Sequence, residues 1–162
     1  MGDYPKALSY HEKALTIRQP SLPSNHPDLA MSYNNIGNVY YNMDDYQKTL
    51  SYYEKALAIR HQSLPSNHPD LGASYNNIGL VYYHMSDYPK ALSSHEKALA
   101  VRQQSLPSNH PDLAMSYNNI SSVYYNMGDY QKALSYFELA VQIGQQSLPI
   151  SHHRLLTMEK KP

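Results

Sequence analysis

Three pairs of adjacent asparagines recur at intervals of 42 residues: Asn34 and Asn35, Asn76 and Asn77, and Asn118 and Asn119. A side-chain amide offers a hydrogen-bond donor and an acceptor at once, which suits the backbone of an extended peptide. Asparagine is also a mediocre helix former, because its side chain competes for backbone hydrogen bonds. Paired asparagines within a predicted helix therefore need an explanation. Contact with a ligand is one explanation; amides that bridge neighbouring helices, or copying of the whole unit, are the others.

The nine histidines raise the question of a metal site. His26, His68 and His110 recur 42 residues apart, each directly before a proline, and we favour a role at the start of a helix over metal binding. His11 and His95 take the position that Tyr53 and Phe137 hold in other copies, which indicates packing. The adjacent His152 and His153 lie in a degenerate linker, and neighbouring residues seldom converge on one ion. We therefore predict no metal site.

The sequence shows no recognisable catalytic pattern. It contains no nucleophile motif, no glycine-rich phosphate loop and no paired acid and base. The sequon Asn119-Ile120-Ser121 falls within a predicted helix of a chain without a secretion signal. We expect no catalytic residue and no cofactor.

A 42-residue repeat organises the whole chain. The block that begins at Met1 returns at Met43 and Met85, and a decaying fourth copy begins at Met127. A period of this length predicts a stacked array, in which neighbouring units bury one another's apolar faces. Because the chain opens inside a unit, we expect it to be a piece of a longer array or a gene model cut at that point.

Charge and composition limit the classes of partner that the chain is expected to bind. Lys+Arg and Asp+Glu balance at 13 each, so the net charge is zero and no basic footprint for nucleic acid or an anionic membrane is present. The absence of cysteine excludes disulfides and thiolate metal sites. No signal peptide or membrane-spanning run is recognisable, so we expect a soluble, cytoplasmic protein.

Each unit contains two predicted helices. The first follows the linker SLPSNHP, with Pro27 suited to the first helical turn and Asp28 to the positive end of the helix dipole. Its predicted apolar stripe consists of Leu29, Tyr33, Ile36 and Tyr40.

The second helix of a unit is predicted to begin after an aspartate. Asp45 has the character of an N-cap, and the helix runs to about Gln62, before a linker with two prolines. We therefore predict turns near 43–45, 85–87 and 127–129. The charged residues of this helix are predicted to form a solvated outer face: Lys48, Glu54, Lys55 and Arg60.

Glycines in the middle of the first helices indicate a close approach of another helix. Glycine there costs about 1 kcal/mol relative to alanine. Ala56 is the candidate neighbour of Gly37, and Ala98 that of Gly79. Ser121 replaces glycine in the third unit, and we expect slightly looser packing there.

The unit resembles the tetratricopeptide repeat. The resemblance is carried by Tyr33, Ile36-Gly37, Tyr40, Asp45-Tyr46, a small residue at position 49, an aromatic residue at position 53, and Ala56. The 42-residue length, the His-Pro-Asp linker and the tripeptide Asn-Asn-Ile are most similar to the repeats of kinesin light chains. The resemblance implies an all-α fold, a right-handed superhelical solenoid of antiparallel helix pairs. We assign residues 1–146 to the array, with a half repeat at 3–19 and full repeats at 28–62, 70–104 and 112–146, and 147–162 to a degenerate tail or partial cap.

In tetratricopeptide arrays the first helices line a concave groove, so the resemblance implies a peptide-binding face. Asparagines of the matching tripeptide contact cargo peptides in kinesin light chains, which implies Asn35, Asn77 and Asn119, and less directly their preceding neighbours. The predicted binding residues are Asn34, Asn35, Asn38, Tyr41, Asn76, Asn77, Tyr83, Asn118, Asn119 and Tyr125.

One feature departs from the kinesin light chain pattern. The first helices, 28–43, 70–85 and 112–127, contain no Lys or Arg. Kinesin light chains use basic groove residues to recognise acidic cargo motifs, and this cationic element is absent. The heptad region through which a light chain joins its heavy chain is also absent from the sequence.

We therefore predict a non-catalytic scaffold whose groove binds a protein or an extended peptide segment, with no nucleic acid or membrane as partner. One alternative is a structural array that self-associates end to end. Another is the targeting arm of a larger protein whose catalytic domain lies outside this chain.

Overall fold

The computed structural model of the chain describes residues 3–147, which form seven α-helices and no strand. The helices are α1 (Tyr4–Ser21), α2 (Pro27–Asn42), α3 (Tyr46–Ser63), α4 (Pro69–His84), α5 (Tyr88–Ser105), α6 (Pro111–Asn126) and α7 (Tyr130–Ser147). The predicted all-α solenoid of antiparallel helix pairs is confirmed. Of the predicted tail, 147–162, Ser147 is the last residue of α7, and the rest lies outside the described residues.

Tight turns at 43–45, 85–87 and 127–129 join the two helices of each pair, as predicted. The middle residue has a positive φ of 57° at Asp44, 60° at Ser86 and 82° at Gly128. The last residue of the turn caps the next helix: the Asp45 carboxylate accepts a hydrogen bond from the backbone N–H of Lys48 at 3.2 Å. The chain therefore reverses within three residues and lays the second helix against the first.

The linkers at 22–26, 64–68 and 106–110 end in the repeated histidines, which cap α2, α4 and α6. The Nδ1 atom of His26 accepts a hydrogen bond from the backbone N–H of Asp28 at 3.2 Å. His68 and His110 make the same bond at 3.2 and 3.1 Å. The prediction that these histidines act at helix starts is confirmed.

Each helix packs against its neighbours in sequence. The most extensive contacts join α2 to α3, α4 to α5 and α6 to α7, and smaller contacts join α1 to α2, α3 to α4 and α5 to α6. The core is correspondingly divided into clusters between successive helices. One such cluster contains Leu50 and Tyr53 of α3 with Ile78 and Val81 of α4.

The predicted apolar stripe of α2 was partly wrong. Leu29 and Ile36 are buried, but Tyr33 and Tyr40 are only half-buried, and Val39 is buried instead. The reason is that α2 contacts both α1 and α3, so the buried surface spans two sides of the helix rather than one stripe.

The helices do approach closely at the mid-helix glycines, but the predicted neighbours were wrong. A Cβ atom at Gly37 would lie 2.6 Å from the ring of Tyr53, and one at Gly79 would lie 2.7 Å from the ring of His95. Aromatic rings of the second helix therefore fill the space above the glycines, rather than the alanines at 56 and 98. Ser121, at the equivalent position, donates a hydrogen bond to the backbone oxygen of Ala133 at 2.7 Å.

The predicted outer face is correct for three residues and wrong for the fourth. Lys48, Glu54 and Lys55 are exposed, whereas Arg60 is half-buried and donates to the hydroxyl of Ser74. The equivalent Arg102 is 5% exposed and donates to the Ser116 hydroxyl at 2.7 Å. These guanidinium groups join the second helix of one unit to the first helix of the next.

Candidate functional site

The predicted binding residues lie on α2, α4 and α6, and they differ in accessibility. Asn38, Asn118 and Tyr125 are exposed, Asn76 is buried at 6% exposure, and the others are half-buried. We call the surface that they share with their pocket neighbours the groove face. It contains three pockets that repeat along the array.

The first pocket has a volume of about 320 Å³. It is lined by Asn38, Tyr41, Asn42, Tyr53, Asn77 and Leu80. The Tyr53 hydroxyl donates to the side-chain oxygen of Asn38 at 2.6 Å. Burial, with a smaller contribution from Tyr41, raises the pKa of Tyr53 to about 12, so this hydroxyl stays protonated as a donor. The amide of Asn77 makes no hydrogen bond within the described residues.

The second pocket has a volume of about 100 Å³. It is lined by Leu80, Tyr83, His95, Asn119 and Ser122. Every one of these residues lies 42 positions after a residue of the first pocket, so the two pockets are equivalent sites in successive units. Tyr41 and Asn77 of the first pocket correspond to Tyr83 and Asn119 of the second, and the residues at the remaining positions differ.

His95 is 1% exposed, and its Nδ1 atom has no hydrogen-bond partner among the described residues. Burial, with a smaller contribution from the positive charge of Arg102, lowers the pKa of His95 to about 4. The imidazole is therefore neutral at neutral pH, with one ring nitrogen as a donor and the other as an acceptor.

The third pocket, of about 660 Å³, lies between α6 and α7 and is the most apolar. Ser122, Tyr125 and Phe137 hold the positions that correspond to the wall of the second pocket. Leu134 and Phe137 are 58% and 48% exposed. The equivalent residues of α3 are buried against α4, and the described residues contain no helix that covers α7 in this way.

One asparagine pair bridges helices. The side-chain nitrogen of Asn119 donates to the side-chain oxygen of Asn76 at 2.9 Å and so joins α6 to α4. The alternative that asparagines link neighbouring helices therefore holds for this pair. Asn34 and Asn35 line none of the three pockets. Contact of any of these asparagines with a ligand stays a prediction.

The structure brings the other predicted residues together in small groups. Asn38, Tyr41 and Asn77 share the first pocket, Tyr83 and Asn119 share the second, and Asn118 and Tyr125 share the third. The sequence analysis missed the pocket residues from the second helices, Tyr53, His95 and Phe137, which were assigned to packing alone. The available signal was that nearly identical units differ at these positions.

The three pockets share an uncharged lining. None of their wall residues is Lys, Arg, Asp or Glu. Within residues 3–147, no group of three or more His, Asp or Glu side chains is arranged to hold a metal ion. None of the described helices is long and apolar enough to cross a membrane. The chemistry of the groove face is thus that of amides, hydroxyls, one neutral imidazole and apolar groups.

Comparisons with known proteins agree on one family and fold. The family model for the tetratricopeptide repeat matches residues 1–62, 28–104 and 70–146. BtubC (BKLC) from P. vanneervenii has a similar structure, with a TM-score of 0.82 and 26% identity over 90% of this chain and 59% of that chain. A kinesin light chain-like protein of Podosopora anserina with nearly identical TPR-like repeats has a TM-score of 0.79 and 25% identity over 91% of this chain and 70% of that chain.

A more distant structure shares the fold alone. The N-terminal domain of stress-induced protein-1 (STI-1) from C. elegans has a TM-score of 0.61 and 19% identity, over 83% of this chain and 97% of that chain. A search of the curated proteins found no match. The chain spans little more than half the length of the BtubC structure that it resembles.

Proposed function

The chain belongs to the tetratricopeptide repeat family, and we propose that it is a non-catalytic scaffold that binds an extended, largely uncharged peptide segment of a partner protein along its groove face. The observation that carries this proposal is the row of repeat-equivalent pockets, each with a tyrosine in its wall and none with a charged side chain. Repeats of this family generally serve as scaffolds rather than as catalysts.

The asparagine amides suit a peptide backbone because each offers both a donor and an acceptor. Asn77 is the best candidate, since its half-buried amide lines the first pocket and makes no hydrogen bond within the described residues. A single hydrogen bond contributes only about 0.5–1.5 kcal/mol net, so several pockets must act together with tyrosine burial to reach micromolar affinity.

The likeness to kinesin light chain-like repeats supports a peptide ligand but not an acidic one. Groove residues of the first helices include no Lys or Arg that would pair with a carboxylate. We therefore propose a ligand whose contacts are amides, hydroxyls and apolar side chains. The cytoplasmic location, the absence of nucleic acid as a partner and the division into one half repeat and three full repeats stay predictions.

The test begins with selection of peptides from a displayed random library on the intact chain. Affinities of a selected peptide are then measured for the wild type and for Asn77→Ala. We expect Asn77→Ala to bind about 5- to 30-fold more weakly, corresponding to the loss of about 1–2 kcal/mol of interaction.

Glu54→Ala is the matched control, because Glu54 is exposed, lies on α3 and lines none of the groove pockets. It should bind like the wild type. Equal binding by Asn77→Ala together with weakened binding by Glu54→Ala would show that the groove assignment is wrong.

A second candidate function is end-to-end self-association. It is favoured by the exposure of Leu134 and Phe137 on α7, whose equivalents in α3 are covered by the next helix. Light scattering over a dilution series tests it: a mass that stays at that of a monomer at all concentrations would reject self-association.

A further inference from the structure

The first and second pockets of the groove face are equivalent by sequence but differ at three positions: Asn38, Tyr53 and Leu80 of the first correspond to Leu80, His95 and Ser122 of the second. Two of these positions are linked. In the first pocket, the Tyr53 hydroxyl is held by the amide of Asn38 at 2.6 Å. In the second, His95 and Leu80 take these two places, and neither can reproduce that bond. Tyrosine and asparagine have thus been replaced together. The second pocket is smaller and lacks a hydroxyl in the place of Tyr53; the Ser122 hydroxyl in its wall donates to the backbone oxygen of Asn118 at 3.0 Å.

Three residues in the wall of the second pocket have unused hydrogen-bonding capacity. The Tyr83 oxygen accepts a bond from the Asn126 amide at 2.9 Å, but its own proton is not donated within the described residues. The Asn119 amide uses its nitrogen on Asn76, which leaves its oxygen available as an acceptor. His95 is buried and makes no hydrogen bond at Nδ1. Leu80 supplies the apolar part of the wall.

Size and charge limit what this pocket accepts. Its volume of about 100 Å³ is roughly a third of the 320 Å³ of the first pocket, which favours a short side chain over a long or aromatic one. A cationic side chain is disfavoured, because Arg102 is close enough to His95 for its positive charge to act on the imidazole. A carboxylate finds no Lys or Arg in the wall, and burial of an unpaired charge is costly.

We propose that the second pocket binds the side chain of a threonine in the peptide ligand. Its hydroxyl lies among Tyr83, His95 and Asn119, and its methyl group packs on Leu80. A hydroxyl both donates and accepts, so it pairs with either tautomer of the neutral imidazole. The internal precedent is the first pocket, where a hydroxyl of this chain itself fills the corresponding place. The inference rests on the proposed function, because it specifies one residue of the bound peptide.

The variants that test this proposal exchange residues between equivalent positions of two units of the chain. Peptides selected from a random library on the wild type should carry threonine at one fixed position. The double variant Leu80→Asn, His95→Tyr gives the second pocket the asparagine and tyrosine of the first and should lose that preference. Leu80 also lines the first pocket, so the residue preference read by that pocket is expected to change as well. The reverse double variant, Asn38→Leu with Tyr53→His, should gain a second threonine position. Both variants are expected to fold, because each introduces a pair that another unit already accommodates beside its glycine.

Replacement of the threonine in a selected peptide by valine removes the hydroxyl and keeps the shape. We expect about 2- to 10-fold weaker binding to the wild type and no change for Leu80→Asn, His95→Tyr. Selected peptides without a threonine preference, or equal binding of the threonine and valine peptides, would overturn the inference and leave the peptide-binding function intact. Recovery of no peptide at all would overturn both.

Discussion

The side-chain nitrogen of Asn119 donates to the side-chain oxygen of Asn76 at 2.9 Å, across the groove face from α6 to α4. The second asparagine of one pair thereby binds the first asparagine of the preceding pair. Asn76 is buried at 6% exposure, whereas Asn77, the next residue, is half-buried and lines a pocket. Adjacent asparagines of one tripeptide therefore differ in role, one joining units and the other facing the pocket.

This difference predicts unequal effects of two neighbouring substitutions on the free energy of unfolding. Asn76→Ala leaves the Asn119 amide without its partner and should lower the free energy of unfolding by about 1–3 kcal/mol. Asn77→Ala removes no hydrogen bond of the described residues and should change it by less than about 0.5 kcal/mol. Urea unfolding followed by circular dichroism measures both. Equal destabilisation by the two variants would contradict the division of roles.

Two glycines of α4 predict a second contrast. A Cβ atom at Gly79 would lie within 2.7–2.9 Å of the His95 ring, whereas the nearest atoms at Gly72 are 3.4 Å away. Overpacking should make Gly79→Ala destabilising by about 1–3 kcal/mol. Gly72→Ala should stabilise by about 0.5–1 kcal/mol through helix propensity, because Ala30 and Ala114 occupy the equivalent positions. Thermal unfolding distinguishes them, and a stabilised Gly79→Ala would show that His95 is not locked against the glycine.

The sequence was sufficient for the fold because its strongest signals are local. The caps at Asp45 and His26 depend on residues only two or three positions away. The site was harder to predict because its walls join residues about 40 positions apart, as with Asn38 and Leu80 in the first pocket.

Side-chain reach was the second obstacle to prediction. Periodicity placed Arg60 on the outer face, but its long side chain extends back to Ser74 of the next unit. For the same reason the sequence did not place Tyr53 and His95 in the groove pockets. Their rings extend from the second helix over the glycines and line those pockets. A helical wheel gives the direction of the Cβ atom, and not the position of the end of a long side chain.

His95 makes stability depend on pH. Its pKa is lowered from 6.5 to about 4 in the folded chain, so the unfolded chain binds the proton first as the pH falls. The free energy of unfolding is therefore highest above pH 6.5. It falls progressively between pH 6.5 and about 4, by about 3 kcal/mol in total. Urea unfolding at a series of pH values measures this loss.

His95→Phe is the control for this pH dependence, because Phe137 stands at the equivalent position. The variant leaves the other histidines of the chain in place. Its stability should fall less steeply than that of the wild type between pH 6.5 and 4. Identical slopes would show that His95 titrates normally in the folded chain.

The first helix should be less protected than the middle of the array. No residue of α1 is buried, whereas α4 buries Leu71, Ile78 and Val81. In a nearest-neighbour array a unit with fewer interfaces opens at lower free energy. Amide hydrogen exchange should therefore be faster in Tyr4–Ser21 than in Pro69–His84. Slower exchange in α1 would contradict the expected order.

Salt dependence tests the uncharged character of the groove face. Screening shortens the reach of exposed charges from about 30 Å at 0.01 M to about 3 Å at 1 M ionic strength, so a cationic groove that bound an acidic motif would lose affinity steeply. None of the pocket walls carries Lys, Arg, Asp or Glu. The affinity of a selected peptide should therefore change by less than about threefold over this range, since its contacts are hydrogen bonds and apolar packing.

The same titration with Asn77→Ala and Glu54→Ala assigns the contacts. Asn77→Ala should be weaker by the same factor at low and high salt, because the lost interaction is a neutral hydrogen bond. Glu54→Ala should follow the wild type throughout, since Glu54 is exposed on α3 away from the groove pockets. A steep loss of wild-type affinity with salt would instead assign recognition to charged residues outside the pocket walls, because those walls contain no Lys, Arg, Asp or Glu.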